Sequence, residues 1–162
     1  MKFYGNKVMI LSRKKIEKFI RSTKNDLSQL NLISILEPDC CDKNFYPISG
    51  VYLRKFNSYI IQRFYDSNGN DPKYPTISKQ QAEKLADFIH NHKNEKFVVH
   101  CGAGISRSAG VAMAVICITK FHGDKFSFEV SDCEIRKDKR FFPNLTVFDR
   151  ICEQYRKKFI LF

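Results

Sequence analysis

Val98-Val99-His100-Cys101-Gly102-Ala103-Gly104-Ile105-Ser106-Arg107-Ser108-Ala109-Gly110 is the most informative run in this 162-residue chain. Two β-branched residues mark the end of a strand, a glycine-spaced loop follows, and the apolar segment from Ala109 to Phe121 reads as a helix. Cys101 therefore stands at a strand end and Arg107 at the entry to a helix. A tight loop in that position aims successive backbone N–H groups at one point, and the helix dipole adds about half a positive charge there. Such a cradle suits a phosphate-like dianion, and it also favours a sulfur held as thiolate. A free thiol with a pKa of about 8.5 is only about 3% ionised at neutral pH, whereas thiols at helix N-termini fall to roughly 3.5–7.5.

The residue types inside the loop fit that chemistry. Arg107 offers a planar fork of donors that grips two phosphoryl oxygens at once, which a lysine does not match. Gly102 and Gly104 let the loop curl with its amides inward. Three other phosphate motifs fail on residues. A P-loop needs a lysine, and none lies between 97 and 119. A dinucleotide fingerprint needs a third glycine where Arg107 stands, and a hydrolase elbow needs one where Ser108 stands.

His100 to Ser108 resembles the His-Cys-x5-Arg-Ser/Thr signature of the cysteine-dependent protein tyrosine phosphatases. The inner Ala103-Gly104-Ile105-Ser106-Arg107-Ser108 has the wording of their dual-specificity branch. Ile135-Arg136 through Arg140, Pro143 and Asn144 likewise resembles the family's closing Arg…Pro-Asn helix start. Other branches fit less well. The low-molecular-weight enzymes carry the loop near the N-terminus, the large tyrosine-specific domains need more chain ahead of the cysteine, phosphoinositide phosphatases place lysine inside the loop, and the RNA triphosphatases word it differently.

The resemblance implies a phosphatase acting on phosphotyrosine and phosphoserine/threonine of proteins through a phosphocysteine on Cys101. Gly102, Ala103, Gly104, Ile105, Ser106 and Arg107 would bind the phosphate. His100 would hold the loop through a hydrogen bond and tune the thiolate, and Ser108 would help the sulfur leave. The family's general acid is an aspartate some 30–35 residues before the cysteine, a distance that admits Asp66 and Asp71. Asp66 is preferred because it follows a strand and the aromatic pair Phe64-Tyr65. Asp71 precedes Pro72 in a Gly/Asn-rich run and reads as a turn residue. No metal or other cofactor is expected. An RNA 5′-phosphatase of the same superfamily and a non-catalytic phosphate-binding module are the alternatives.

Working outward, strands are expected at Lys7–Leu11, Leu32–Leu36, Val51–Leu53, Tyr59–Tyr65 and Phe97–Val99, with loops at 38–50 and 66–75. Ser12 caps a helix with Ile16, Phe19 and Ile20 on one face. Ser78-x-x-Gln81 is a capping box ahead of Ala82, Leu85, Ala86 and Ile89. Phe126–Lys137 reads as helical without a clean face, and Asn144 caps a last helix with the stripe Phe148, Ile151, Cys152, Tyr155 and Phe159. Alternating strands and helices predict one α/β domain over 1–162, a central, mostly parallel twisted sheet flanked by helices on both faces.

Composition sets the remaining bounds. With 43% hydrophobic residues, fifteen Phe and seven Tyr, an aromatic-rich core forms without disulfides. The six cysteines (Cys40, Cys41, Cys101, Cys117, Cys133 and Cys152) include no CxxC pair, so no zinc site is expected. There is no signal-peptide pattern and no 18-residue apolar run, so the expectation is a cytoplasmic protein with reduced thiols and no membrane span. The net charge of +11 is concentrated at the ends. Residues 1–31 hold eight Lys/Arg against two acids, and 134–162 hold eight against four. That basicity fits phosphorylated proteins, RNA or another polyanion as partner, and it also fits solvated faces of amphipathic helices.

Overall fold

A computed structural model describes residues 1–39, 48–120 and 130–160. Most of the expected 38–50 loop, Cys40 and Cys41, and the 126–129 part of the expected 126–137 helix lie outside the described residues.

Four strands, β1 (Val8–Ser12), β2 (Leu30–Leu36), β3 (Ser58–Arg63) and β4 (Lys96–Cys101), form one sheet in the order β1-β4-β2-β3. Among the described residues every pairing between these strands is parallel, as the expectation of a mostly parallel sheet has it. Parallel sheets are covered on both faces, and the strands accordingly read as apolar runs; all seven residues of β2 are buried. Side chains alternate between two cores. Val8, Ile10, Ile33, Ile35, Phe97, Val99 and Cys101 face one, and Met9, Leu11, Leu32, Leu36 and Val98 face the other.

Helix α1 (Arg13–Arg21) covers the second face with Ile16, Phe19 and Ile20, capped by Ser12, whose Oγ accepts from the Lys15 N–H at 3.3 Å. The first face carries α3 (Lys79–Asn91), α4 (Arg107–Thr119) and α6 (Leu145–Phe159). The Ser78–Gln81 capping box closes in both directions, at 3.2 and 2.9 Å. α4 is buried from Arg107 to Ile118, which explains its apolarity all round: the sheet lies on one side of it and α3 and α6 on the other.

Two expectations are corrected. Gly50–Leu53 is a single helical turn, α2, not a strand: the Tyr52 and Leu53 N–H groups both donate to the Ser49 carbonyl, at 2.9 and 3.1 Å. A three-residue apolar run is too short for its period to decide between the two. In the 126–137 region the described residues form a 3₁₀ turn, Val130–Asp132, and the short helix α5 (Glu134–Lys137). Among the described residues no helix is long and apolar enough to cross a membrane.

Candidate active site

Because all four strands run the same way, their C-terminal ends meet at one edge, where open α/β sheets place their ligands. β4 delivers Cys101, β1 delivers Ser12-Arg13, β2 ends beside Glu37, and β3 runs on into Phe64, Tyr65 and Asp66. The phosphate-loop candidate, residues 101–107, sits on that edge and enters α4.

Gly104 holds φ +72°, and a Cβ added there would fall 2.5 Å from the Ser12 nitrogen. The loop can pass over the end of β1 only because position 104 has no side chain. On the same side the Arg13 N–H donates to the Gly102 carbonyl at 3.0 Å. Cys101 is 2% exposed, and its sulfur accepts from the Gly104 N–H at 3.3 Å and lies 3.1 Å from Ser108 Oγ. Sulfur, an inward amide and the Ser108 hydroxyl are therefore in contact.

Arg107 is 4% exposed and tied in two directions. Nη1 donates to the Phe64 carbonyl at 2.9 Å, and Nη2 to Glu37 Oε1. Nε is a buried donor with no hydrogen-bond partner. The other Glu37 oxygen lies 3.3 Å from Arg13 Nη2, so one carboxylate bridges two guanidinium groups. Partial burial pushes the Glu37 carboxyl up, but the hydrogen bond and charge of Arg107, with Arg13 adding to them, outweigh it and hold it below the usual range. Sequence reasoning missed Glu37, which falls between the strand expected to end at Leu36 and the loop expected from 38. The available signal was its place at the end of a buried strand, which in a parallel sheet is the ligand-facing edge.

His100 is fully buried. Burial above all, then the charges of Arg13 and Arg107, lower its pKa to about 4, although a hydrogen bond with the Cys101 backbone pulls upward. It is neutral at pH 7, so it acts as an anchored polar group beneath the loop and carries no charge there.

The two candidate acids separate clearly. Asp66 is exposed at the rim of the loop, where Oδ1 accepts from Ser106 Oγ and from Asn144 Nδ2, both at 2.8 Å. Its neighbour Phe64 is 1% exposed and anchors that segment in the core. Asp71 instead caps a turn, accepting from the Lys73 N–H at 2.9 Å. Asn144 was legible only as a helix cap. It also donates to the Ser67 carbonyl at 3.2 Å, while its backbone N–H donates to the Ser106 carbonyl at 3.2 Å. Among the described residues no group of three or more His, Cys, Asp or Glu is arranged to hold a metal ion.

No family model and no curated protein sequence matches the chain. Solved structures do. The human tyrosine phosphatase-like serine/threonine/tyrosine-interacting protein superposes with a TM-score of 0.57 at 17% identity, covering 91% of this chain and 90% of that one. A mutant form of Tk-PTP gives 0.55 at 15% identity, covering 96% and 94%. PTPMT1 gives 0.54 at 13% identity, covering 93% and 90%. Likeness at such identities is likeness of fold, and it is the tyrosine-phosphatase fold that this chain has.

Proposed function

We propose that the chain hydrolyses phosphomonoesters of proteins, phosphotyrosine and phosphoserine/threonine, through a phosphocysteine intermediate. The observation that carries this reading is the tie between Asp66 and Ser106: a carboxyl group from β3's loop is held on the rim of a loop that contains a cysteine and an arginine. The Cys101 thiolate attacks phosphorus, forming the S–P bond as the ester P–O bond breaks. Arg107 and the loop amides stabilise the equatorial oxygens, the unpartnered Nε being a ready donor. Asp66 gives its proton to the departing oxygen. Water then attacks phosphorus, Asp66 takes that proton, and the sulfur leaves as thiolate with Ser108 Oγ 3.1 Å away to receive its charge.

Cys101→Ser is expected to abolish turnover of phosphotyrosine peptides and of an activated aryl phosphate alike; measurable turnover would sink the covalent route. Asp66→Asn is expected to slow a poorly leaving alkyl phosphate by roughly 10²–10⁴-fold. An activated aryl phosphate, whose leaving group needs no proton, should be affected far less, and equal losses would remove Asp66 as the acid.

A further inference from the structure

A cleft of about 910 Å³ opens beside the phosphate loop, between α1, the end of β1 and the N-terminal residues. Ala103, Gly104 and Ile105 form one of its walls, so the cleft and the proposed reaction centre share a partition. Lys2, Lys15, Lys18, Lys24 and Arg140 line it, and among the described residues no acidic one does. Two of these cations are already engaged: Lys2 lies 3.6 Å from Glu134, and Arg140 lies 2.6 Å from Asp138. Lys15, Lys18 and Lys24 are exposed and make no ion pair among the described residues. Lys15 stands in the first turn of α1, where the helix dipole disfavours a cation, so helix stability does not account for it, whereas Lys18 is in the last turn. Unpaired positive charge around a concave wall instead raises the local concentration of anions.

We infer that this cleft binds an acidic segment flanking the phosphorylated residue of a protein substrate. The inference rests on the phosphatase reading and specifies its substrate. An extended peptide advances about 3.3 Å per residue, so the residues next to the phosphorylated one pass along the shared wall within a few positions. Scattered carboxylates suit point-charge lysines on flexible stems. A nucleic-acid strand is the less favoured occupant, because single strands are held by stacking bases on open aromatic faces. The cleft offers none: Tyr4 is 2% exposed and Phe19 is 4% exposed, and Phe141 is half-buried with an edge contact to Tyr4. The exposed lining residues that are apolar, Met1 and Ile105, are aliphatic.

The test compares two phosphotyrosine peptides of equal length, one with three Asp/Glu on each side of the phosphotyrosine and one with Gln/Ser there. Hydrolysis of para-nitrophenyl phosphate serves as the reference. The acidic peptide is expected to have a KM roughly 10-fold lower, with the advantage lost above about 0.5 M salt. In the Lys15→Glu/Lys18→Glu/Lys24→Glu variant the ratio between the two peptides should fall to about one or reverse. The milder triple Gln variant guards against misfolding, with its melting curve recorded alongside. Equal KM values with full turnover of the aryl phosphate would overturn this inference and leave the phosphatase reading intact. No turnover of the aryl phosphate by the unmodified protein would overturn the phosphatase reading. Fluorescence anisotropy of the same peptides on Cys101→Ser, which needs no turnover, would still decide the cleft. Displacement of the acidic peptide by a 5′-phosphorylated RNA oligonucleotide at lower concentration would overturn the inference in favour of RNA.

Discussion

His100 shows how one residue beside the proposed nucleophile Cys101 links stability to pH. It lies in register between Leu11 of β1 and Ser34 of β2, fully buried, with the Arg13 and Arg107 charges near enough to disfavour protonation. Its imidazole titrates at about 4 in the folded chain against 6.5 ordinarily. Between those values the unfolded chain binds more protons, so stability is fully present above pH 6.5 and declines as the pH falls toward 4. The loss from this group amounts to about 3 kcal/mol at the acid end of that window. Urea midpoints taken from pH 7 to 4.5 should therefore fall in the unmodified protein and flatten in His100→Gln, and identical slopes would assign the titration to another group. Glu37 illustrates a second residue-scale point. Half-buried between two arginines, it offsets their mutual repulsion and leaves Arg107 neutralised on one side and a free donor at Nε. Its contribution is positional, since it touches Arg107 and the Arg107 fork is what would meet phosphate.

At the scale of elements, the start of α6 governs the geometry of the rim. Asn144 Oδ1 accepts from the Val147 N–H at 3.1 Å as the helix cap, while Nδ2 holds Asp66 and the Ser67 carbonyl. Gly110 permits this close approach of α4 and α6: a Cβ there would fall 2.4 Å from the Asn144 carbonyl oxygen. The two halves of the Asn144 side chain can be separated. Asn144→Asp keeps the capping oxygen and loses the donor to Asp66, whereas Asn144→Ala loses both. The alanine variant should lose about 1–2 kcal/mol for the cap, seen as a lower melting temperature. Both variants should slow alkyl phosphates more than aryl phosphates, by roughly 10-fold, because Asp66, the proposed acid, is no longer oriented. A purely structural role for Asn144 would lower the melting temperature without changing the ratio between the two substrates.

On the scale of the whole molecule, the N-terminal residues are fastened to the segment that leads into α6. The Tyr4 hydroxyl donates to Asp138 Oδ2 at 2.7 Å and accepts from Arg140 Nη2 at 2.6 Å, and its ring meets Phe141 edge-on. Burial first, and then the Asp138 carboxylate, push its pKa up to about 12, so the hydroxyl keeps its proton throughout the neutral range. Two residues further on, the Phe142 N–H donates to the Ile105 carbonyl of the phosphate loop at 3.1 Å. Tyr4→Phe is expected to cost about 1–2 kcal/mol and to speed hydrogen exchange at the Phe142 amide while leaving the α3 amides protected, which mass spectrometry of peptic fragments would read. The amino-acid sequence by itself determined what is local. A strand end, a glycine-spaced loop and a helix entry within thirteen residues place Cys101, Arg107 and Ser108 around one point, and caps such as Ser12, Ser78 and Asn144 act within three residues of themselves. The tertiary structure decided what is distant. The strand order β1-β4-β2-β3 carries Arg13, Glu37 and Asp66 to the edge where Cys101 stands. It tied Asp66 to Ser106 on the rim of the loop while Asp71 only caps a turn, and it turned an unremarked Glu37 into the partner of Arg107. Local periodicity records which face of an element is buried, but not which other strand's end will lie against it.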